Sequence, residues 1–164
     1  MTALTYKVFW AMCEYDRGDA RRIQHFTKVH EYASLIGKAE NLDDETQELL
    51  EITAIVHDIG IKLSMEKYGN CAGPNQEKEG AVESLKLLRE CGVSEETAER
   101  VSFIVGHHHT YTGIDGIDWQ IILEADYLVN AYESNHSKET IRNSKESFFR
   151  TESGKKLLDI MFDL

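Results

Sequence analysis

The stretch Ile52-Thr53-Ala54-Ile55-Val56-His57-Asp58-Ile59-Gly60 places a histidine and an aspartate directly after an apolar run with helical character. A carboxylate at that position is expected to be partly buried, and buried carboxylates are rare unless they are paired or bind a metal. The simpler alternative is a helix C-terminus at which Asp58 is solvated and His57 caps the last turn. The local sequence leaves both interpretations open.

A second carboxylate stands within an apolar helical segment. Asp126 lies four residues after Ile122 and three before Val129, so its neighbours on the helix surface are apolar. A lone carboxylate there is costly unless a positive group meets it. That group is either an arginine in a salt bridge or a metal ion. Glu124 points about 160° away from Asp126 on the helix, and we expect it to be solvated.

The apolar residues of the whole chain recur with helical periodicity and do not alternate strictly with polar residues. This pattern predicts an all-α helical bundle of about seven helices. Residues 1–164 are expected to form a single domain, because no repeat and no linker rich in Pro, Gly or Ser divides them. The predicted helices cover Thr2–Tyr15, Asp19–Ala39, Asp43–Ile59, Gln76–Cys91, Ser94–Val105 and Trp119–Tyr132, with further helices in the tail after Ser137.

One long stretch lacks clear periodicity. Residues Gly60–Asn75 include three glycines and the single proline of the chain, and they are predicted to be irregular. Loops of that length inside a domain are uncommon and are often functional. Because this one begins beside His57-Asp58, we expect it to be a mobile lid that closes over a substrate.

Composition disfavours several classes of partner. The chain of 164 residues carries 18 Lys+Arg against 29 Asp+Glu, a net charge of −11 at pH 7. Polyanions need a basic face, so we expect neither a nucleic-acid polymer nor a membrane as partner. The three cysteines form no C-x-x-C pair, and Met1–Asp16 does not resemble a signal peptide. Both features favour a cytoplasmic protein with reduced thiols.

Two histidines lie on the second predicted helix. At roughly 100° per residue, His25 falls about 60° from the centre of the apolar stripe and His30 about 80°, which slightly favours His25 as the inward-facing residue. The imidazoles of His25 and His57 together with the carboxylates of Asp58 and Asp126 form a mixed set typical of catalytic metals. Such a set could bind one divalent ion and leave positions open for water and a substrate oxygen.

Three spaced motifs in the chain resemble those of a known family. His25 opens His-Phe-Thr-Lys-Val-His-Glu-Tyr-Ala, His57-Asp58 lies in Val-His-Asp-Ile-Gly, and Asp126 lies in Glu-Ala-Asp-Tyr-Leu. In this order they resemble the HD-domain superfamily of metal-dependent phosphohydrolases, over about Arg22 to Asn130. The resemblance implies an HD-type helical domain that hydrolyses a phosphoester of a small molecule or nucleotide through a metal-activated water.

The resemblance also implies roles for individual residues. His25, His57, Asp58 and Asp126 would be the metal ligands, and Asp126 would alternatively orient the attacking water. The positive charge that a phosphate needs would come from Lys62 or Arg22, the nearest basic residues in sequence. The alternatives are a solvated lysine at position 62 and a surface or structural ion pair at Arg22.

Further histidines raise the question of a second ion. His107 and His108 stand where two-metal members of the family carry additional histidine ligands, and His109 after them is as readily a solvent-exposed residue. Gln76 stands where such members carry another histidine, and an amide is a poor ligand for a transition metal. We therefore expect one tightly held divalent ion, with Mn, Fe, Co, Ni, Zn and Mg not distinguished, and a second ion is the less favoured alternative.

Two functions of other classes stay open beside a phosphohydrolase. One is a metal-binding HD-type signalling or ligand-binding module without turnover, and the other is a helical domain whose His and Asp residues are paired internally. The expected partner is a small phosphorylated molecule or nucleotide. The oligomeric state is not determined by the sequence, with Trp10 or Phe148-Phe149 as candidate homodimer contacts.

Overall fold

Nine α-helices and no strands form the chain in the computed structural model, which describes residues 1–164. The all-α prediction is confirmed, although the count exceeds the seven helices expected. None of the helices combines the length and apolar character needed to cross a membrane. The helices are α1 (Ala3–Tyr15), α2 (Ala20–Ala39), α3 (Asp44–Val56), α4 (Gly60–Tyr68), α5 (Gly73–Cys91), α6 (Glu95–Val105), α7 (Ile117–Glu133), α8 (Lys138–Phe148) and α9 (Glu152–Phe162).

Capping residues set several helix starts where the sequence predicts them. The side chains of Asp19, Asp43 and Ser94 each accept a hydrogen bond from the backbone N–H three residues later. Gly92 ends α5 in the left-handed region, with φ of 80°. The predicted extension of α3 to Ile59 is wrong, because this helix ends at Val56 and His57 is its C-cap residue. His57 and Asp58 therefore lie in a turn between two helices.

The predicted irregular structure over Gly60–Asn75 is wrong, and the role of this segment as a lid stays a prediction. Helix α4 begins at Gly60 itself, and only residues 69–72 separate it from α5. The sequence shows no apolar stripe that would predict this helix, because the only buried residues of α4 are Gly60 and Ser64. Gly69, with φ of 69°, ends α4 in the left-handed region. This glycine therefore marks the end of one helix shortly before the next begins.

Gly60 is required for close packing of α4 on α5. A Cβ atom at this position would overlap the carbonyl oxygen of Gln76 and would lie 2.6 Å from the backbone nitrogen of Gly80. Neither backbone atom can move away without shifting α5. The two glycines therefore let α4 and α5 approach closely, directly after the His57-Asp58 turn.

Two apolar clusters fill the interior, and α2 and α3 contribute to both. One cluster contains Val29 on α2 and much of α7, and the other contains Phe26 on α2 together with residues of α1, α5 and α6. Since Val29 and Phe26 are three residues apart, one face of α2 contacts both clusters. His25 stands next to Phe26 and is itself buried.

The sequence predicts a solvated Glu124, and this prediction is wrong. Its side chain is fully buried on α7, where it accepts hydrogen bonds from Gln120 Nε2 at 2.7 Å and from the backbone nitrogens of Arg150 and Thr151 at 2.6 and 3.0 Å. Thr151 Oγ1 donates a further hydrogen bond to it. The angular position of Glu124 on the helix did not predict its burial, because the segment before α9 covers the face of α7 opposite Asp126.

The Gly60→Ala variant is expected to lower the free energy of unfolding by about 1–3 kcal/mol, because the added methyl group overpacks the α4–α5 contact. Urea denaturation measures the effect. The Val82→Ala variant, at an exposed position of α5, is the matched control and should change stability by only a few tenths of a kcal/mol. Equal stability of Gly60→Ala and wild type would contradict the packing argument.

Candidate metal centre

The structure brings together the four side chains that the sequence predicted as ligands. The Nε2 atom of His25 lies 3.2 Å from Asp126 Oδ1 and 3.4 Å from Asp58 Oδ2. The Nε2 atom of His57 lies 3.5 Å from Asp126 Oδ1 and 3.6 Å from Asp58 Oδ1. All four residues are buried. Helix α2, the turn after α3 and helix α7 thus meet at one polar site.

Backbone carbonyl groups fix the orientation of two imidazole rings. His57 Nδ1 lies 2.8 Å from the carbonyl oxygen of Ala54, and His108 Nδ1 lies 2.7 Å from that of Val105. A carbonyl oxygen can only accept, so each Nδ1 carries a proton and, in the neutral ring, each Nε2 carries a lone pair. Both Nε2 atoms are buried and have no hydrogen-bond partner. Their lone pairs face carboxylates rather than donors.

The electrostatics of the site show that it favours positive charge. Burial favours the neutral form of His25, but the carboxylates of Asp126 and Asp58 outweigh it and raise the pKa of His25 to about 9. The pKa of His57 is raised by the same two carboxylates despite its burial. Burial opposes ionisation of Asp58 and Asp126 as well, yet the neighbouring imidazoles hold the pKa of both carboxyl groups below the ordinary range. Without a metal, protons on the imidazoles supply the positive charge.

The separations between donor atoms fit a single divalent cation. Two ligand atoms about 2.1 Å from one cation lie about 3.0 Å apart at a right angle and about 3.4 Å apart at the tetrahedral angle. The observed separations of 3.2–3.6 Å between the imidazole nitrogens and the carboxylate oxygens are close to these values. His25, His57 and Asp58 form one group whose donor atoms are close enough to hold a metal ion. These three residues therefore fit such an ion, and Asp126, which lies outside this group, contacts both imidazoles of it.

A second group of donor atoms shares Asp58. His108 Nε2 lies 3.4 Å from Asp58 Oδ1, and Asp58, His108 and His109 also lie close enough to hold a metal ion. The Oε1 atom of Gln76 is 2.9 Å from His109 Nε2, so this amide faces a histidine of the second group. His107 does not join the site, because its ring stacks on Phe103 and its Nδ1 donates to the Phe103 carbonyl oxygen.

A pocket of about 300 Å³ opens beside Asp58 and is lined by both basic residues that the sequence singled out. Arg22 Nη1 donates to Asp58 Oδ2 at 2.7 Å, so this arginine forms an ion pair as well as lining the pocket. Lys62 Nζ donates to the carbonyl oxygen of Tyr15 at 3.0 Å and lies over the ring of that tyrosine. Neither cation approaches Asp126.

Sequence reasoning missed two residues that support the site from α7. Glu133 Oε2 lies 2.9 Å from His25 Nδ1, and Lys28 Nζ donates to the other oxygen of Glu133 at 2.7 Å. Asn130 Nδ2 donates to Asp126 Oδ1 at 2.8 Å. A signal was present, because Asn130 and Glu133 follow Asp126 by four and seven residues and so lie on the same face of the helix.

Two comparisons with known proteins find a likeness to this chain, and a third finds none. The family model described as HD domain matches residues 22–152. Among solved structures, the fold is similar to that of a predicted HD superfamily hydrolase from an uncultured Thermotogales bacterium, with 23% sequence identity and a TM-score of 0.69 over 94% of this chain and 83% of that chain. No curated protein sequence matches the chain significantly. At that identity, the structural likeness shows a shared fold.

The affinity for Mn²⁺ is expected to rise with pH, because His25 must lose its proton to bind a metal and its pKa is raised to about 9 in the metal-free protein. If one proton is displaced, the dissociation constant should fall about tenfold per pH unit, and so by about 100-fold between pH 6.5 and 8.5. Isothermal titration calorimetry measures this. The His107→Gln variant, which changes a histidine outside the site, should keep the same dependence. An affinity independent of pH would argue against imidazole ligands.

The Glu133→Gln variant is expected to lower the pKa of His25 in the metal-free protein, because the carboxylate at its Nδ1 helps to hold the imidazolium form. Histidine NMR titration measures the shift directly. Glu31, an exposed residue of α2, gives the control variant Glu31→Gln, which should leave the pKa of His25 unchanged. The same pKa in wild type and Glu133→Gln would show that Glu133 has no electrostatic role at the site.

Proposed function

The chain belongs to the HD-domain family, and from this membership and the geometry of the candidate metal centre we propose that it is a metal-dependent phosphohydrolase acting on a small phosphorylated molecule or nucleotide. The observation that carries the proposal is the buried meeting of His25, His57, Asp58 and Asp126. An imidazole nitrogen and a carboxylate that face each other need a proton or a metal ion between them, and a divalent cation supplies that charge at this site.

His25, His57, Asp58 and Asp126 would hold one divalent ion. Bound there, such an ion lowers the pKa of water and polarises a phosphoryl oxygen, which is the chemistry that phosphoester hydrolysis needs. The choice among Mn, Fe, Co, Ni, Zn and Mg is not determined by a mixed set of nitrogen and oxygen donors.

Neighbouring residues keep these side chains in position. The carbonyl oxygen of Ala54 holds the His57 ring by its Nδ1, and Glu133 holds the His25 ring in the same way. Asn130 donates to Asp126 Oδ1 and so restricts the rotation of that carboxylate. Such outer hydrogen bonds typically fix both the tautomer and the direction of a metal ligand. The donor atoms of the site are therefore preorganised by the helices around them.

The pocket beside Asp58 supports a small anionic substrate. Its volume of about 300 Å³ is at the lower end of the range for small-molecule sites, which favours a small molecule over a polymer. Arg22 uses Nη1 for the ion pair with Asp58, and its remaining N–H groups are suited to the oxygens of a phosphate. Lys62 adds a second positive charge on the pocket wall. These cations are local exceptions in a chain of net charge −11.

One observation favours a second candidate, a metal-binding HD-type module that binds a ligand without turnover. The ion pair of Arg22 with Asp58 engages a carboxylate oxygen that also faces His25. If that pair persists when a ligand is present, it would draw the carboxylate away from a catalytic role. Metal binding without hydrolysis of any phosphoester would identify this second function.

In the presence of Mn²⁺, wild-type protein is expected to hydrolyse members of a panel of phosphomonoesters and nucleotides, and Asp58→Asn to lose at least about 100-fold in kcat/KM because a charged donor to the ion is removed. Release of inorganic phosphate measures the activity. The matched control is Asp44→Asn, at an exposed acidic position in the first turn of α3, which should retain wild-type activity. Equal activity of Asp58→Asn and wild type would contradict the proposal.

A further inference from the structure

Asp16, at the C-terminal end of α1, is a buried carboxylate without a partner. The residue is only 8% exposed, and its Oδ2 atom is buried with no hydrogen-bond partner. Its backbone N–H caps the helix by donating a hydrogen bond to the carbonyl oxygen of Met12, but its side chain takes no part in the cap. Buried carboxylates are normally paired or hydrogen-bonded. The helix cap therefore gives no reason for an acidic side chain at this position.

Asp16 lines the pocket that reaches Asp58, and the cations of that pocket are engaged elsewhere. Arg22 is paired with Asp58, and Lys62 donates to the carbonyl oxygen of Tyr15. Arg17 is paired with Glu14. Three basic side chains thus line the same pocket as Asp16, and none of them forms an ion pair or a hydrogen bond with it.

The electrostatic cost of this arrangement is substantial. Burial raises the pKa of Asp16 to about 6, with Asp19 and Asp58 adding to the rise and Arg22 and Lys62 opposing it. A side chain that is unfavourable for the free protein and that faces a pocket is typical of a group kept for binding. The missing partner of Asp16 is then a hydrogen-bond donor on a ligand.

The position of Asp16 also constrains how a phosphorylated ligand can lie. A phosphate group carries negative charge and would be repelled by the Asp16 carboxylate. The same phosphate is favoured near Arg22, on the side of the pocket that reaches Asp58. The part of the ligand that meets Asp16 is consequently the part that carries no phosphate.

We propose that Asp16 is a specificity-determining residue whose carboxylate accepts a hydrogen bond from a hydroxyl or amino group on the non-phosphate part of the substrate. The inference rests on the proposed phosphohydrolase function and narrows its substrate class. The favoured substrates are phosphomonoesters of polyols, sugars, nucleosides or amino alcohols, in preference to simple alkyl or aryl phosphates.

A matched pair of non-hydrolysable ligands tests this preference. In 3,4-dihydroxybutylphosphonate and butylphosphonate the chain length and the anionic group are the same, and only the first offers hydroxyl donors. Calorimetry with Mn²⁺-loaded wild-type protein should show about tenfold or more tighter binding of the dihydroxy ligand, as expected for a hydrogen bond to a charged acceptor. In Asp16→Ala that preference should fall to twofold or less.

The control variant for binding is Glu66→Ala, which removes an exposed carboxylate from the same pocket and should keep the wild-type preference. Three results would overturn the inference: no preference in wild type, a preference that survives in Asp16→Ala, or no binding of either ligand. A preference that is lost in both variants would also overturn it, because the effect would then be one of overall charge.

Thermal unfolding of the ligand-free protein separates binding from a structural role. Removal of an unpaired buried charge should make Asp16→Asn melt at a higher temperature than wild type at pH 8, whereas a structural carboxylate would give a lower melting temperature and overturn the inference. The two proposals also fail separately. A preference that depends on Asp16, without hydrolysis of any phosphomonoester, would contradict the phosphohydrolase and leave the binding role intact. Hydrolysis that depends on Asp58, without this preference, would contradict only the role of Asp16.

Discussion

Buried imidazole nitrogens and carboxylate oxygens face one another in this protein, and that arrangement requires positive charge between them. Separations of 3.2 Å for His25 Nε2 with Asp126 Oδ1 and 3.4 Å for His108 Nε2 with Asp58 Oδ1 leave no room for water between these atoms. Protons can supply the charge, as the raised pKa of His25 indicates, and a divalent cation can supply it at the same positions.

The helices around the site are arranged to keep it rigid. Because α3 ends at Val56, His57 and Asp58 lie in a short turn, and α4 starts immediately afterwards at Gly60. The close contact of Gly60 with α5 fixes the end of that turn that leads into α4. On α7, Asp126 faces the site, while Glu124 on the opposite face binds the segment before α9. One helix thus holds a carboxylate of the candidate metal centre and a structural carboxylate two residues apart.

Much of this architecture could be predicted from the sequence, and the failures have physical causes. The burial of Asp126 followed from helical periodicity, which depends only on position along one helix. Periodicity did not separate His25 from His30, because both histidines are buried, and they differ in that His25 faces Asp58 and Asp126 whereas His30 faces Glu31 and Glu51. Glu124 was misjudged because its burial depends on distant residues that periodicity cannot reveal. Helix α4 was missed because glycines that serve close packing and helix ends resemble loop residues. Asp16 could not be found, because an unpaired carboxylate is recognised only when its surroundings are known.

Four side chains from three parts of the chain are proposed to hold one divalent cation. Anomalous diffraction from crystals grown with Mn²⁺ would locate that cation. A strong anomalous peak is expected within coordination distance of His25 Nε2, His57 Nε2 and the carboxylates of Asp58 and Asp126. A peak elsewhere, or none while these four side chains keep the positions described, would contradict the proposal.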